Sequence, residues 1–196
     1  MDLVFATNNI HKIREIKAAL GARYNLLSLE NSNIFGEIPE EEETLDGNAL
    51  FKARYVYKRT GMAVFADDTG LEVEALDNKP GVHSARYAGI EKDSDANISR
   101  LLKELDGQLN RSARFRTVIA LIYNDNEILF DGIVTGKITA ERRGTGGFGY
   151  DPVFLPEGYD STFAEMELKE KNLISHRAKA IRKLSSFFEQ QQVQYF

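Results

Sequence analysis

Hydrophobic and polar positions along the chain switch between a period of two and a period of about 3.6, and the switches mark out the elements. Leu3–Thr7 is apolar and β-prone. Asn8-Asn9 breaks it, and Ile13, Ile16, Ala19 and Leu20 then recur at helical spacing, with Gly21 placed to end that helix. A second strand is predicted over Tyr24–Leu29. An opening of strand, loop, helix and strand usually offers its first loop to a ligand.

The acidic stretch 37–43, interrupted by Ile38 and Pro39, packs poorly and reads as an exposed loop. A helix follows, capped by Asp46, carrying Ala49, Leu50, Ala53 and Val56 as its apolar stripe and ended by Gly61. Met62–Ala66 is then a short buried strand running directly into Asp67-Asp68. Leu71–Leu76 alternates as a strand, and the Pro80-Gly81 loop leads to a helix capped by Ser94, with Ile98, Leu101, Leu102 and Leu105 along it. Arg114–Tyr123 and Glu127–Thr135 flank Asn124-Asp125-Asn126 as a hairpin, with Lys137–Glu141 as an extension of the same sheet. Ile174, Ala178, Ile181, Leu184 and Phe188 mark a last helix, capped by Ser175 and basic on its polar side. No repeat or linker interrupts the pattern, so residues 1–196 are expected to form one domain.

Composition narrows the function classes. With 196 residues, 42% hydrophobic and 28% charged, the chain has the makeup of a globular protein with a sizeable core. It has no cysteine, which excludes disulfides, thiolate metal sites and a cysteine nucleophile. The opening Met1–Thr7 lacks a basic leader, and no later run approaches the roughly 18 apolar residues of a membrane span. A cytoplasmic protein without a membrane partner is expected. The net charge of -5 argues against a general nucleic-acid binder. It leaves room for a small polyanion, because a triphosphate needs only a few convergent cations and a metal.

Several segments carry candidate chemistry. Asp67-Asp68, just after a buried strand, suits a hard divalent cation or a general base, although Asp-Asp-Thr-Gly by itself also describes a turn. Thr7-Asn8-Asn9-Ile10-His11-Lys12 puts small polar side chains and a lysine at a helix start, where backbone N–H groups favour anions. It lacks the glycines of a Walker A loop, and an ordinary helix start with a surface lysine fits it too. The run from Gly144 to Gly149 satisfies G-x-G-x-x-G, but Pro152 pushes Asp151 out of the helical region, against a dinucleotide fingerprint. The alternatives are a flexible loop presenting Phe148 and Tyr150, where an aromatic ring stacked on a base is worth about 1–3 kcal/mol, and a glycine-rich turn with a buried aromatic. Lys171 and the His176-Arg177 pair place cations near a helix N-terminus, where the dipole disfavours them. An anionic or carbonyl-bearing partner explains them, as does a solvated basic face. His83 stands alone and reads as packed or exposed.

Taken together, Ala6-Thr7-Asn8-Asn9-Ile10-His11-Lys12, Asn48-Ala49 with Lys52-Ala53, Ala66-Asp67-Asp68-Thr69-Gly70-Leu71, Ser84-Ala85-Arg86-Tyr87, Gly146-Gly147-Phe148-Gly149-Tyr150-Asp151-Pro152 and Ser175-His176-Arg177 resemble the Ham1/inosine triphosphate pyrophosphatase family in order and spacing. The resemblance covers residues 3 to about 184. It implies a homodimeric α/β protein with a long central mixed sheet flanked by helices, its two lobes around a nucleotide-binding cleft. It also implies Mg²⁺-assisted hydrolysis of ITP, dITP and XTP to the monophosphate and pyrophosphate. By position, Asp68 matches the general base and metal carboxylate, Glu40 the metal glutamate, and Asp67 is a further candidate ligand. Thr7, Asn8, Asn9, Ile10, His11 and Lys12 match the triphosphate loop, with Lys52 as a second phosphate cation and Thr69 a substrate contact. Phe148, Gly149, Tyr150 and Asp151 match the base loop, and Lys171, His176 and Arg177 the nucleotide clamp. Asn8, Glu42 and Gly47 depart from the common pattern, and the crowding of Glu40 to Glu43 leaves the metal glutamate open by a residue or so.

Rival classes differ in detail. A haloacid-dehalogenase-like phosphatase would want Asp-x-Asp rather than adjacent aspartates. A nucleotide sensor would bind without turnover. A Maf-like pyrophosphatase would favour modified pyrimidine nucleotides.

Overall fold

Asn124 and Asp125 both take left-handed backbone angles, φ 49° and 59°, which is the geometry a two-residue turn needs between twisted antiparallel strands. The expected hairpin therefore forms, and its arms are longer than the pattern indicates. In this computed structural model, which describes residues 1–20 and 24–193, the strands are β1 (Asp2–Phe5), β2 (Asn25–Leu27), β3 (Val64–Val73), β4 (Lys79–Gly81), β5 (Ser112–Tyr123), β6 (Asn126–Ile138) and β7 (Phe154–Pro156). The helices are α1 (Ile10–Leu20), α2 (Leu45–Thr60), α3 (Ser94–Glu104), α4 (Leu168–Ile174) and α5 (His176–Val193). Gly21, expected to end the first helix, lies outside the described residues.

The strands form one mixed sheet in the order β2-β1-β3-β5-β6-β7, with β4 paired to β3 off this path. β1 runs parallel to β2 and β3, whereas β4 is antiparallel to β3 and β7 to β6. This is the α/β class with a mixed sheet and flanking helices. The chain divides into two compact units. Unit 1 comprises Met1–Asp68, Thr117–Gly132 and His176–Phe196, and unit 2 comprises Thr69–Arg116 and Ile133–Ser175. The core of unit 1 joins Leu3, Phe5 and Phe65 to Ile16 and Leu20 of α1 and to Ile181, Leu184 and Phe188 of α5. Phe5 and Phe65 stack with centroids 4.5 Å apart. Unit 2 closes around Leu71, Val73, Ile98, Leu101, Phe115, Phe154 and Phe163. No described helix is long and apolar enough to cross a membrane.

Several expected boundaries move, each for a local reason. Thr44, rather than Asp46, caps α2, its hydroxyl accepting from the Gly47 N–H at 3.0 Å. Asp93, rather than Ser94, caps α3 by accepting from Asp95 and Ala96. Both expected caps fall in the first turn, where an acid or a serine is equally at home. Leu71–Leu76 does not stay extended: β3 ends at Val73 and a 3₁₀ turn takes Glu74–Leu76. The sheet extension stops at Ile138 instead of reaching Glu141. The seven residues of α4 escaped the pattern because they offer fewer than two full turns of periodicity.

The largest difference concerns Asp67-Asp68. They lie inside the ten-residue β3 rather than in a turn after it, and they are 1% and 8% exposed. Aspartate is a poor strand former, so its partners must override that preference.

Candidate active site

Successive side chains of a strand point to opposite faces, so neighbouring aspartates in β3 take different direct partners. The structure gives them separate partner sets within unit 1. Asp67 has both carboxylate oxygens 3.1 Å from Lys12 Nζ and accepts from Arg177 Nε at 3.3 Å. Asp68 accepts from Lys52 Nζ at 3.3 Å and from Asn48 Nδ2 at 3.2 Å.

Each partner is delivered by a helix. Asn9 caps α1, its side-chain oxygen accepting from the N–H groups of His11 at 3.0 Å and Lys12 at 3.2 Å. This capping sets Lys12 in the first turn. Thr7 supports the same loop by accepting from Asn9 N–H at 3.2 Å, and Asn8 donates to the Gly36 carbonyl at 2.8 Å. Asn8, Asn9, Ile10 and His11 are exposed, while Thr7 and Lys12 are half-buried. On α2, Asn48 and Lys52 are four residues apart and share a face with buried Leu45, Ala49 and Val56. Lys52 Nζ also lies 2.7 Å from Glu40 Oε1. His176 and Arg177 open α5 and are 3% and 2% exposed. The Arg177 guanidinium pairs through Nη1 with Glu15 of α1, itself 4% exposed, as well as with Asp67.

The electrostatics separate the two aspartates further. Burial works to raise Asp67, but Lys12, Arg177 and Lys52 outweigh it and bring the carboxyl down to about 2. Asp67 is thereby a fixed anion. For Asp68 burial wins: desolvation pushes it above the ordinary carboxylate range against the pull of Lys52 and Lys12. Burial lowers Lys12, with Asp67 only partly offsetting it. Burial also acts downward on Lys52, yet Asp68 and Glu40 together raise it. Asp68 is thus the carboxylate with proton affinity to spare, and Lys52 the dependable cation beside it.

Among the described residues no group of three or more His, Asp or Glu is arranged to hold a metal. Glu40 and Asp68 nonetheless converge on one cation, the Lys52 ammonium. Two carboxylates offering only oxygen donors fit Mg²⁺, which commonly takes one or two carboxylates and completes its shell with substrate phosphates and water.

Unit 2 holds the remaining candidates. Asp151, 2% exposed, accepts from Lys171 Nζ at 2.6 Å and from the Phe148 N–H at 2.8 Å. Lys171 sits on α4 with Nζ 5.2 Å from the Phe148 ring centroid and 5.3 Å from that of Phe163. Gly147 has φ +70°, a left-handed conformation that brings its Cα side against the Asp151 carboxylate and excludes a side chain there. Phe148 and Gly149 are half-buried. Tyr150 is different: at 4% exposed it belongs to the core, and its hydroxyl donates to the Ser84 carbonyl at 2.9 Å. The loop is therefore pinned at Tyr150 and Asp151, with Phe148 as its accessible ring. Thr69 is half-buried in β3, next after Asp68 in the chain. His83 is exposed.

Two residues of the cluster were absent from the sequence-based set. Asn48 had a signal, the four-residue spacing to Lys52 on one helix face. Glu15 had almost none, because a lone acid beside Ile16 on a helix reads as a boundary position.

A model of the Ham1 family matches residues 3–187. Proteins named dITP/XTP pyrophosphatase from Flavobacterium johnsoniae and Bacillus subtilis are 52% and 44% identical, covering 94% and 96% of this chain and 96% and 97% of their own lengths. The structure of the Staphylococcus aureus Ham1 protein aligns with a TM-score of 0.89 at 37% identity, covering 97% of this chain and 100% of that one. Match by sequence and match by fold both span almost the whole chain, and the chain belongs to the Ham1 family.

Proposed function

We propose that the protein hydrolyses deaminated purine nucleoside triphosphates, ITP, dITP and XTP, to the monophosphate and pyrophosphate, removing them from the nucleotide pool. The observation that carries this reading is the division of Asp67 and Asp68 between two cation sets. Half-buried Lys12 and buried Lys52, beside a fixed anion and a carboxylate of raised proton affinity, are what a triphosphate and an activated water require. The names of the relatives support the same chemistry.

Lys12 and Lys52 hold the phosphate oxygens, and in doing so exchange part of their contact with Asp67, Asp68 and Glu40 for contact with substrate. Asp68 takes a proton from a water positioned by the cradle. The water oxygen bonds to the α-phosphorus, the bond from that phosphorus to the bridging oxygen breaks, and pyrophosphate leaves with the electron pair. Asp67 keeps Lys12 and Arg177 in place throughout. Glu40 and Asp68 would hold Mg²⁺, which when bound screens phosphate charge and improves the leaving group, while Asp67 is engaged by Lys12 and Arg177. Thr7, Asn8, Asn9, Ile10 and His11 line the triphosphate loop, and Thr69 contacts the substrate.

Base recognition is assigned to Phe148 as the stacking ring, with Gly149, Tyr150 and Asp151 shaping its loop and Lys171 holding Asp151. His176 donates to the 6-oxo group, which an adenine amino group cannot replace, since donor would meet donor. Arg177 has Nε and Nη1 engaged by Asp67 and Glu15, which supports a role beside Lys12 in the phosphate cradle. The resemblance further supports a homodimer, and action on the nucleotide pool supports a cytoplasmic location.

Hydrolysis of ITP in ¹⁸O-labelled water tests the reading. Attack at the α-phosphorus puts the label in inosine monophosphate and leaves pyrophosphate unlabelled. Label in orthophosphate, or orthophosphate as the first product, would overturn it in favour of a phosphatase.

A further inference from the structure

Ser84-Ala85-Arg86-Tyr87 takes no part in the steps above, yet Ser84 is 7% exposed and bonded on every side. Its hydroxyl accepts from the Leu71 N–H at 2.8 Å and donates to the Gly81 carbonyl at 2.6 Å. Leu71 and Gly81 are register partners of β3 and β4, so the hydroxyl is a relay between two strand residues that face each other. Its own carbonyl accepts the Tyr150 hydroxyl at 2.9 Å. All of these groups belong to unit 2.

The two ties end at two substrate-binding segments. Leu71 lies two residues after Thr69 on a strand that is stiff at this point. A side chain on the intervening Gly70 would stand 2.6 Å from the Gly81 carbonyl oxygen, so β4 abuts the strand directly. Tyr150 lies two residues after Phe148 and next to Asp151, in the loop that Lys171 and the Phe148 N–H hold from the other end. One buried serine therefore fixes both the strand that carries Thr69 and the loop that carries the base-stacking ring.

We propose that Ser84 is a positioning residue for purine recognition, setting the spacing between Thr69 and the Phe148–Asp151 loop. The proposal rests on the assignment of those segments to the substrate. Without the hydroxyl, the Leu71 N–H and the Gly81 carbonyl are left to find each other across the space the oxygen filled, and β4, which carries the Tyr150 anchor downstream, must shift. Placement errors of an ångström are felt strongly in rate.

The test compares Ser84→Ala, Tyr150→Phe and the double variant, with Phe188→Ala as a variant of the other core cluster, which contains neither Leu71 nor Tyr150. Thermal melting and kcat/KM for ITP and for ATP are measured on each. Ser84→Ala is expected to lower kcat/KM for ITP about tenfold and to reduce the ITP-to-ATP ratio with it. Tyr150→Phe should reduce the same ratio, and the double variant should lose little beyond the larger single effect, because both cut one linkage. Phe188→Ala should melt lower and keep the wild-type ratio. A Ser84→Ala enzyme that melts lower but retains the ratio, or a double variant whose losses simply multiply, overturns the positioning role. Should Ser84→Ala fail to fold, Tyr150→Phe decides alone, a wild-type ratio counting against the proposal. Wild-type protein that releases no pyrophosphate from ITP overturns the functional reading and this proposal together, whereas the variant outcomes bear only on Ser84.

Discussion

Asp68→Asn is expected to lower kcat for ITP by about 10²–10⁴-fold, the range contributed by a positioned general base, with KM changed only a few-fold. The reasoning starts from the strand. Asparagine has the shape of aspartate, so β3 keeps its packing, and Lys52 keeps Glu40 at 2.7 Å as a partner. Asn48 can still meet the new amide at the 3.2 Å separation seen for the carboxylate. What disappears is the proton acceptor that burial has raised above the ordinary carboxylate range. Steady-state kinetics with a circular dichroism melt checks this, and a folded Asp68→Asn protein within about threefold of wild-type turnover would place the base elsewhere.

Arg177→Ala should produce the largest loss of stability of any single change in the cluster. Arg177 joins Glu15 and Asp67, both nearly inaccessible to water. Removing one partner of a buried pair leaves uncompensated charge and costs about 3–5 kcal/mol. For a protein of this length that corresponds to a fall in melting temperature of roughly 6–20 °C. Asp67 retains Lys12, so part of its compensation survives. The second variant Glu15→Gln, added to Arg177→Ala, should recover part of the loss by removing one of the two buried carboxylate charges that faced the guanidinium. Differential scanning fluorimetry on the single and double variants measures it. A melting temperature within about 2 °C of wild type for Arg177→Ala would mean that the pair is not buried in solution.

How far the sequence reveals this site depends on the distance along the chain between partners. The β5–β6 turn was legible because Asn124-Asp125 carries its own left-handed preference and the alternating arms are its immediate neighbours. The α2 stripe was legible for the same local reason. Asp67-Asp68 looked like a turn because nothing nearby satisfies two carboxylates. Lys12 is 55 positions away from Asp67 and Arg177 is 110, so the partners that keep the strand extended are invisible to any short window. Tyr150 shows the converse. A glycine-rich surrounding and a following proline indicate a loop correctly, but they carry no information on which of two aromatics, Phe148 or Tyr150, turns inward. The bond to Ser84, 66 positions away, decides that. Glu15 was missed because its partner is 162 positions distant.

The role of each aspartate follows from the same feature. Adjacent residues of a strand face apart, so one carboxylate became a permanent counter-ion for Lys12 and Arg177 while the other stayed beside Lys52 and Glu40 with its proton affinity raised. A turn would have allowed both to crowd one site. A pleated strand does not.

The most direct test of the central claim is a turnover panel with ITP, dITP, XTP, GTP, ATP and a modified pyrimidine triphosphate, scored by pyrophosphate release. Pyrophosphate from ITP, dITP and XTP at kcat/KM far above that for ATP and GTP is the predicted result. Equal turnover of ATP, or preference for the pyrimidine, would contradict it.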